Sequence, residues 1–513
     1  MPGGEVLTLV DALEAAGIRF ILAKHENAAA FMAEGVYHRT GAPGILVATV
    51  GPGALNGVNA VANAHQDRVP MIVLAGSVDA DEAQSYTHQV LDQQAVFRPI
   101  TKATFSLVAG AAHIIADKAV GIATEGRPGP VHIDVPISVA DAKVPAISPP
   151  ARPPAAQTAP FGADLEKARD ALRQSVRPII IAGVDAMNDN AGEALTAFAE
   201  MFNAPVITTY KAKGLLSEDH PLALGGAGLS PLADTHLLPL VQKADLIICC
   251  GYDPIEMRTG WRDVWTPRTQ MIIDITAEPN HHYMHQSTLN IIGNCTAALQ
   301  AIGEGVAARE TWPDKAPDAT RQALAEAFPT SDEWGPAAVI DTCRSVLPRE
   351  TLATVDSGAH RILLSQMWKC YDPRGLTQST ALCTMGCALP LAMGASLVYQ
   401  DGPVVSFSGD AGFLMVAGEL STAAELDLRT IFVVFVDASL SLIELKQRAR
   451  QLGNKGVDFA QHDFAAMGRA FGGAGATVSN RQELEAALQD AMNAKTFTVI
   501  AAVIDRGGYD GRI

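Results

Sequence analysis

The sequence predicts an α/β protein made of three doubly wound domains with parallel sheets, and three observations carry that expectation. Residues 403–447 read as strand, helix, strand: Val404–Ser408 leads through Gly409-Asp410-Ala411-Gly412 to a helical run, Glu419–Leu428, and then to Ile431–Val436, which ends in Asp437-Ala438-Ser439. A crossover of that length favours parallel pairing. Residues 5–140 and 164–305 alternate short β-rich runs with helical ones in the same manner. Between those stretches, Pro145, Pro149, Pro150, Pro153, Pro154 and Pro160 preclude regular structure and read as an extended spacer. The expected layout is a first domain over 1–145, a linker over 146–163, a middle domain over 164–305 and a last domain over 331–513.

Composition sets the class. A chain of 513 residues is too long for one core. Its 48% hydrophobic and 18% charged residues suit an enzyme that works in water. No apolar run reaches the roughly 18 residues a membrane helix needs, and the N-terminus lacks a signal pattern. The seven cysteines are odd in number and scattered through apolar segments, which points to reduced thiols in the cytoplasm. A formal charge of −17 argues against nucleic acid and anionic membrane as partners, while a small anionic substrate depends on local groups.

In chain order, Ile18–Ala23 reads as a strand and Asn27–Arg39 as a helix with Ala29, Phe31, Met32 and Val36 on its apolar face. Gly44–Val50 is the next strand and closes on the tight turn Gly51-Pro52-Gly53. Pro70–Ala75 and Pro130–Val135 follow. Glu26 stands where the first of these strands ends; alone it reads as a helix cap, although ends of parallel strands also form ligand crevices. In the middle unit, Pro178–Ala182, Pro205–Thr208, Asp245–Cys249 and Met271–Asp274 read as strands. There is no GxGxxG, so no dinucleotide site follows. His281, His282 and His285 lack an acid at ligand spacing and read as a surface cluster. Glu304–Ser331 is a polar connector. In the last unit, Thr351–Val355 ends at Asp356-Ser357-Gly358-Ala359-His360, and Thr384-Met385-Gly386 precedes a small-residue helix, Ala388–Ala395.

The chemistry concentrates at Asp410 and Asp437. Two carboxylates 27 residues apart, each at a strand exit beside backbone carbonyls, form a hard-oxygen site. Mg²⁺ suits it and would keep positions for water and phosphate oxygens. Gly409 and Gly412 let the backbone approach a phosphate closely. A lone Gly-Asp-x-Gly is more often a turn or cap; the spaced pair is far more specific.

Here the residues resemble a family. The stretch from Gly409 to Ser439 resembles the metal–diphosphate motif of thiamine-diphosphate enzymes, with Ala411 for its middle glycine and Val436-Asp437 for its paired asparagines. The acid at the second ligand position and the continuation Gln447…Gly456-Val457-Asp458-Phe459 look like the catabolic acetolactate synthases. So does His25-Glu26-Asn27-Ala28-Ala29-Ala30-Phe31-Met32-Ala33, which resembles that family's activating-glutamate motif. The turn Gly51-Pro52-Gly53 and the run Thr87-His88-Gln89 resemble further family segments.

The resemblance implies a thiamine-diphosphate-binding fold of pyrimidine-binding, middle and diphosphate-binding domains. It implies that Asp410, Asp437 and the Ser439 carbonyl hold Mg²⁺, and that Gly51, Pro52, Gly358, His360, Gly409, Ala411 and Gly412 line the cofactor. Glu26 would activate the aminopyrimidine, Met385 would prop the cofactor from below, and the Cys383 carbonyl would face its amino group. Gln89 would contact substrate. A homodimer or homotetramer follows, because in this family the glutamate of one subunit completes a site held by another. The implied reaction is decarboxylation of a 2-oxo acid with carboligation. The other readings are a C–C lyase or hydrolase acting on a 2-hydroxyacyl-CoA or a cyclic diketone, and a non-catalytic relative. Some relatives bind FAD or a CoA nucleotide in the middle domain; nothing in these residues selects either. Three departures are expected to matter: Ala359 replaces a glutamine, Val436 replaces an asparagine, and the chain starts at a Pro-Gly turn that usually follows a first βα unit.

Overall fold

The computed structural model describes residues 1–145, 147, 153 and 155–513. Pro149, Pro150 and Pro154 of the expected spacer lie outside the described residues. Three parallel sheets form the frame. The first contains β1 (Gly44–Ala48), β2 (Met71–Ser77), β3 (Ala103–Ser106) and β4 (Pro130–Pro136) in the order β1-β2-β4-β3. The second contains β5 (Pro178–Ala182), β6 (Val206–Thr209), β7 (Ala223–Ala227), β8 (Leu246–Cys250), β9 (Met271–Thr276) and β10 (Leu289–Ile292) in the order β10-β9-β8-β5-β6-β7. The third contains β11 (Leu352–Val355), β12 (Leu376–Gln378), β13 (Val404–Gly409), β14 (Ile431–Val436), β15 (Ala474–Val478) and β16 (Thr498–Val503) in the order β12-β11-β13-β14-β16-β15. Interior strands such as Ile431–Val436 are buried throughout, as expected where helices cover both sheet faces.

Four helices position the functional segments. They are α1 (Glu26–Thr40), α2 (Ala388–Ser396), α3 (Asp410–Val416) and α4 (Glu419–Glu425). α1 and α2 cross in contact through glycines. A Cβ on Gly35 would stand 2.3 Å from the Leu391 carbonyl oxygen, and one on Gly394 would stand 2.0 Å from that of Met32. Only hydrogen side chains allow backbones to approach so closely. The connector after the middle sheet is partly helical, at Ala316–Ala327, and Leu324 packs against the Trp261 cluster.

One predicted strand is absent: among the described residues, Ile18–Ala23 pairs with no neighbour. β1 is an edge strand and pairs only with β2. Ile21 and Ala23 instead pack with Met32, Leu389 and Phe413. The next backbone N–H groups, of Lys24 and His25, donate to the Glu419 carboxylate at the start of α4. A β-rich composition without a ladder partner stays extended coil. All seven cysteines are free thiols.

Candidate active site

β13 and β14 are neighbours in register, with Gly409 opposite Phe435, so Asp410 and Asp437 leave the sheet side by side. Asp410 Oδ2 accepts hydrogen bonds from the Ala438 N–H at 2.8 Å and the Asp437 N–H at 3.2 Å, while Oδ1 accepts from Ala411 N–H at 2.8 Å. Asp437 Oδ1 accepts from Ser439 N–H at 3.2 Å, and its Oδ2 accepts from the Ser441 hydroxyl. The turn that brings these amides round places Ala438 in the left-handed region at φ +54°, a conformation that costs a non-glycine residue about 1 kcal/mol or more. Burial raises the Asp410 carboxyl to about 6, with the Asp437 charge adding to it, and burial also raises Asp437. A buried and a partly buried acid, the charge of Asp437 raising Asp410, are the donor set a hard divalent cation would relieve. Among the described residues no three His, Cys, Asp or Glu side chains gather as a metal cage. The two carboxylates would therefore need backbone, water or phosphate oxygens to complete an octahedron.

The two acids line a cavity of about 120 Å³ together with Gly358, His360, Met385, Gly409, Ala411, Gly412 and Ser439. Seven positions predicted to line the cofactor thus meet the two acids. Asp356, which sequence reasoning passed over, organises them. It is fully buried at the end of β11. Its Oδ1 accepts from His360 Nε2 at 2.8 Å and from Gly409 N–H at 3.3 Å; its Oδ2 accepts from Gly386 N–H at 2.6 Å. Opposite an ionised carboxylate, which only accepts, Nε2 carries the proton of this contact. One side chain therefore ties the exits of β11 and β13 to the Met385 loop. Space is tight around it, since a Cβ on Gly412 would stand 1.9 Å from Asp356 Oδ2. The signal was present in the sequence: Asp356 ends a buried parallel strand, as Asp410 does.

Glu26, Gly51, Pro52 and Gln89 do not line that cavity. They form a second cluster. Glu26, buried at the first turn of α1, accepts from Asn56 Nδ2 at 3.0 Å and from the Met1 amino group at 3.1 Å. Burial pushes its carboxyl upward, but these bonds and its own backbone N–H hold it below the usual range. Gly51 turns at φ +68°, beside Gln89. Cys383 adopts φ +52° and its sulfur accepts from Arg361 at 3.0 Å. It lines a separate, larger cavity that shares Ser357, Gly358, Leu442, Ile443 and Tyr509 with the acid cavity.

The three sheets and the paired acids define a class, and comparison bears it out. Models described as thiamine pyrophosphate enzyme domains match the chain three times: the N-terminal TPP binding domain over residues 1–96, the central domain over 165–302 and the C-terminal TPP binding domain over 356–502. Relatives narrow it. The chain is 30% identical to an acetolactate synthase of Bacillus subtilis (strain 168), an alignment covering 98% of this chain and 90% of the relative. It is 29% identical to a catabolic acetolactate synthase of Raoultella terrigena, covering 98% and 91%. It is also 29% identical to a probable 2-ketoarginine decarboxylase of Pseudomonas aeruginosa, covering 98% and 90%. The chain belongs to the acetolactate synthase family of thiamine-diphosphate-dependent enzymes.

Proposed function

We propose that the protein uses thiamine diphosphate and Mg²⁺ to decarboxylate a 2-oxo acid and to join the resulting acyl unit to a second carbonyl compound. The observation that carries this reading is the side-by-side exit of Asp410 and Asp437 into one cavity with Met385 and the glycine backbone. The relative named as a probable 2-ketoarginine decarboxylase supports loss of a carboxylate, and those named as acetolactate synthases support formation of a joined product. Carboligation is the finer claim, and it follows the synthases.

In this reading Asp410, Asp437 and the Ser439 carbonyl hold Mg²⁺. Gly358, His360, Gly409, Ala411 and Gly412 present backbone and imidazole to the diphosphate, and Met385 and Cys383 flank the ring end. When bound, the thiazolium supplies the electron sink for breaking the bond between the carboxylate carbon and the keto carbon. Glu26 holds a proton against the aminopyrimidine. Because Glu26, Gly51, Pro52 and Gln89 cluster away from the acid cavity, a second copy of the chain supplies them, which makes the working unit a homodimer or a dimer of dimers. The buried apolar walls keep water from the reacting carbon.

The test is ¹⁴CO₂ release from a panel of 2-oxo acids with and without thiamine diphosphate and Mg²⁺. Cofactor-dependent release that falls by about 10²-fold or more in Glu26→Gln is expected, as for loss of a general acid–base group. Release indifferent to that substitution overturns the assignment of Glu26.

A further inference from the structure

The chain that delivers Glu26 is held by a side chain in place of a sheet ladder. Among the described residues Ile18–Ala23 has no strand partner, so the backbone N–H groups that follow it must find acceptors elsewhere. One carboxylate takes both. Glu419 Oε1 accepts from the Lys24 N–H at 2.9 Å and from the His25 N–H at 2.8 Å, and Oε2 shares the Lys24 N–H at 3.1 Å. Thr422, on the next turn of α4, donates its hydroxyl to Oε2 at 2.8 Å. Glu419 is only 2% exposed. Hydrogen bonds to an ionised acceptor are about twice as strong as neutral ones, and burial removes the competition of water. The ion pair of Lys24 Nζ with Glu425, at 2.7 Å, is partly exposed and adds little.

The place of this brace in the chain gives it a functional reading. His25 is the N-cap of α1 and Glu26 its first residue, so the last amide that Glu419 holds lies one Cα step, about 3.8 Å, from the glutamate. Beneath the same segment, Ile21 and Ala23 pack with Phe413 of α3, the helix that begins at Asp410. The Glu26 carboxyl itself meets Asn56 and the Met1 amino group. Those contacts orient its oxygens, whereas Glu419 sets where its backbone enters the helix. Such placement matters, because a shift of about 1 Å in a reacting group can cost about 10²-fold in rate.

We propose that Glu419 is a positioning residue for Glu26: its carboxylate fixes the backbone entering α1 and thereby aims the Glu26 carboxyl. This rests on the reading that Glu26 serves the aminopyrimidine of the cofactor. Glu419 does not line the cavity of Asp410 and Asp437. Its loss should therefore slow turnover without loosening cofactor or substrate.

Glu419→Gln keeps the shape of the side chain and removes its charge and one acceptor oxygen. In the full-length protein without cofactor, hydrogen exchange read by mass spectrometry should be about tenfold faster or more at the Lys24 and His25 amides, and unchanged in β14. With thiamine diphosphate and Mg²⁺, kcat for ¹⁴CO₂ release should fall about tenfold or more, while KM for the 2-oxo acid and the calorimetric affinity for the cofactor stay within about threefold. The same substitution made in Glu26→Gln should cost less than about twofold, because it acts through a group already removed. Unchanged exchange overturns the proposal. So does an equal loss of rate in both backgrounds, or a loss confined to cofactor affinity, which is what a merely structural brace would give. Should Glu419→Gln fail to fold, Thr422→Val keeps the carboxylate and deletes one of its partners. The same pattern at about threefold is then expected, and unmoved exchange or kcat overturns the proposal. The two readings fail separately. Faster exchange at Lys24 and His25 in a protein that releases no CO₂ from any 2-oxo acid upholds the placement of Glu26 by Glu419 and sinks the catalytic reading.

Discussion

Asp356 carries more of the site's geometry than any residue that touches ligand in the proposed reading. Its two oxygens serve three donors on three different segments. Asparagine fits the same space but has one acceptor oxygen. The short contact to Gly386 N–H would claim that oxygen, leaving Nδ2–H to face His360 Nε2. Asp356→Asn should therefore remove the proton from Nε2 and place it on Nδ1. ¹⁵N spectra of histidine-labelled protein should show Nε2 protonated in the wild type and unprotonated in the variant. An unaltered ring would contradict the role given to Asp356. The variant should also lose about 1 kcal/mol of stability, since the partly buried Gly409 amide would lose its partner.

At the scale of elements, the contact of α1 with α2 ties the first domain to the last within one chain. α1 begins at Glu26, and α2 follows the Met385–Gly386 loop. Their backbones touch at Gly35 and Gly394. Gly394→Val should separate the helices and lower stability by roughly 2–4 kcal/mol, read as the urea midpoint; a drop under about 0.5 kcal/mol would mean that the crossing is soft.

α1 also carries a buried charge that the chemistry does not use. Burial raises the Glu34 carboxyl to about 7, against the opposing pull of Lys211, with Asp67 adding to the rise. The cluster joins the three domains. Lys211 lies 2.9 Å from Asp67 and 3.7 Å from Glu34, Asn63 donates to Glu34, and Asp67 accepts from the Thr380 and Ala381 amides. His38 lies 3.2 Å from Glu34. Between the unfolded value of 4.5 and about 7 the folded protein binds the extra proton. Glu34 therefore contributes stability that is full below pH 4.5 and lost as pH rises through 7. Relative to Glu34→Gln, the wild type should weaken across that window by on the order of 1–3 kcal/mol. Parallel pH profiles of the two thermal midpoints would contradict this.

For the whole molecule, what was legible depended on burial. Ile431–Val436 and Pro178–Ala182 are buried on both faces, so their apolar runs mark strands without ambiguity. Ala103–Ser106 and Ala474–Val478 are edge strands with partly exposed small or polar residues, and the edge strand Leu289–Ile292 is only four residues long, so little in their pattern separates them from coil. Ile18–Ala23 reads as a strand for the opposite reason. Its side chains are β-rich, but pairing is a tertiary property that local composition does not encode. Asp410 and Asp437 were readable as a pair because each ends a strand, and sheet order makes those strands neighbours. The place of Glu26 in a different cluster from them follows from the family resemblance and not from local composition, because it depends on how α1 packs against α2.

The central claim is that Asp410 and Asp437 together grip a metal-bound diphosphate. Calorimetric titration of thiamine diphosphate into the protein, with Mg²⁺ and with chelator, tests it most directly. The account predicts one saturating site per chain that needs Mg²⁺ and whose affinity drops at least about tenfold in Asp437→Ala, as expected when a ligand to a hard cation is removed. Equally tight binding in chelator, or in the variant, would contradict it.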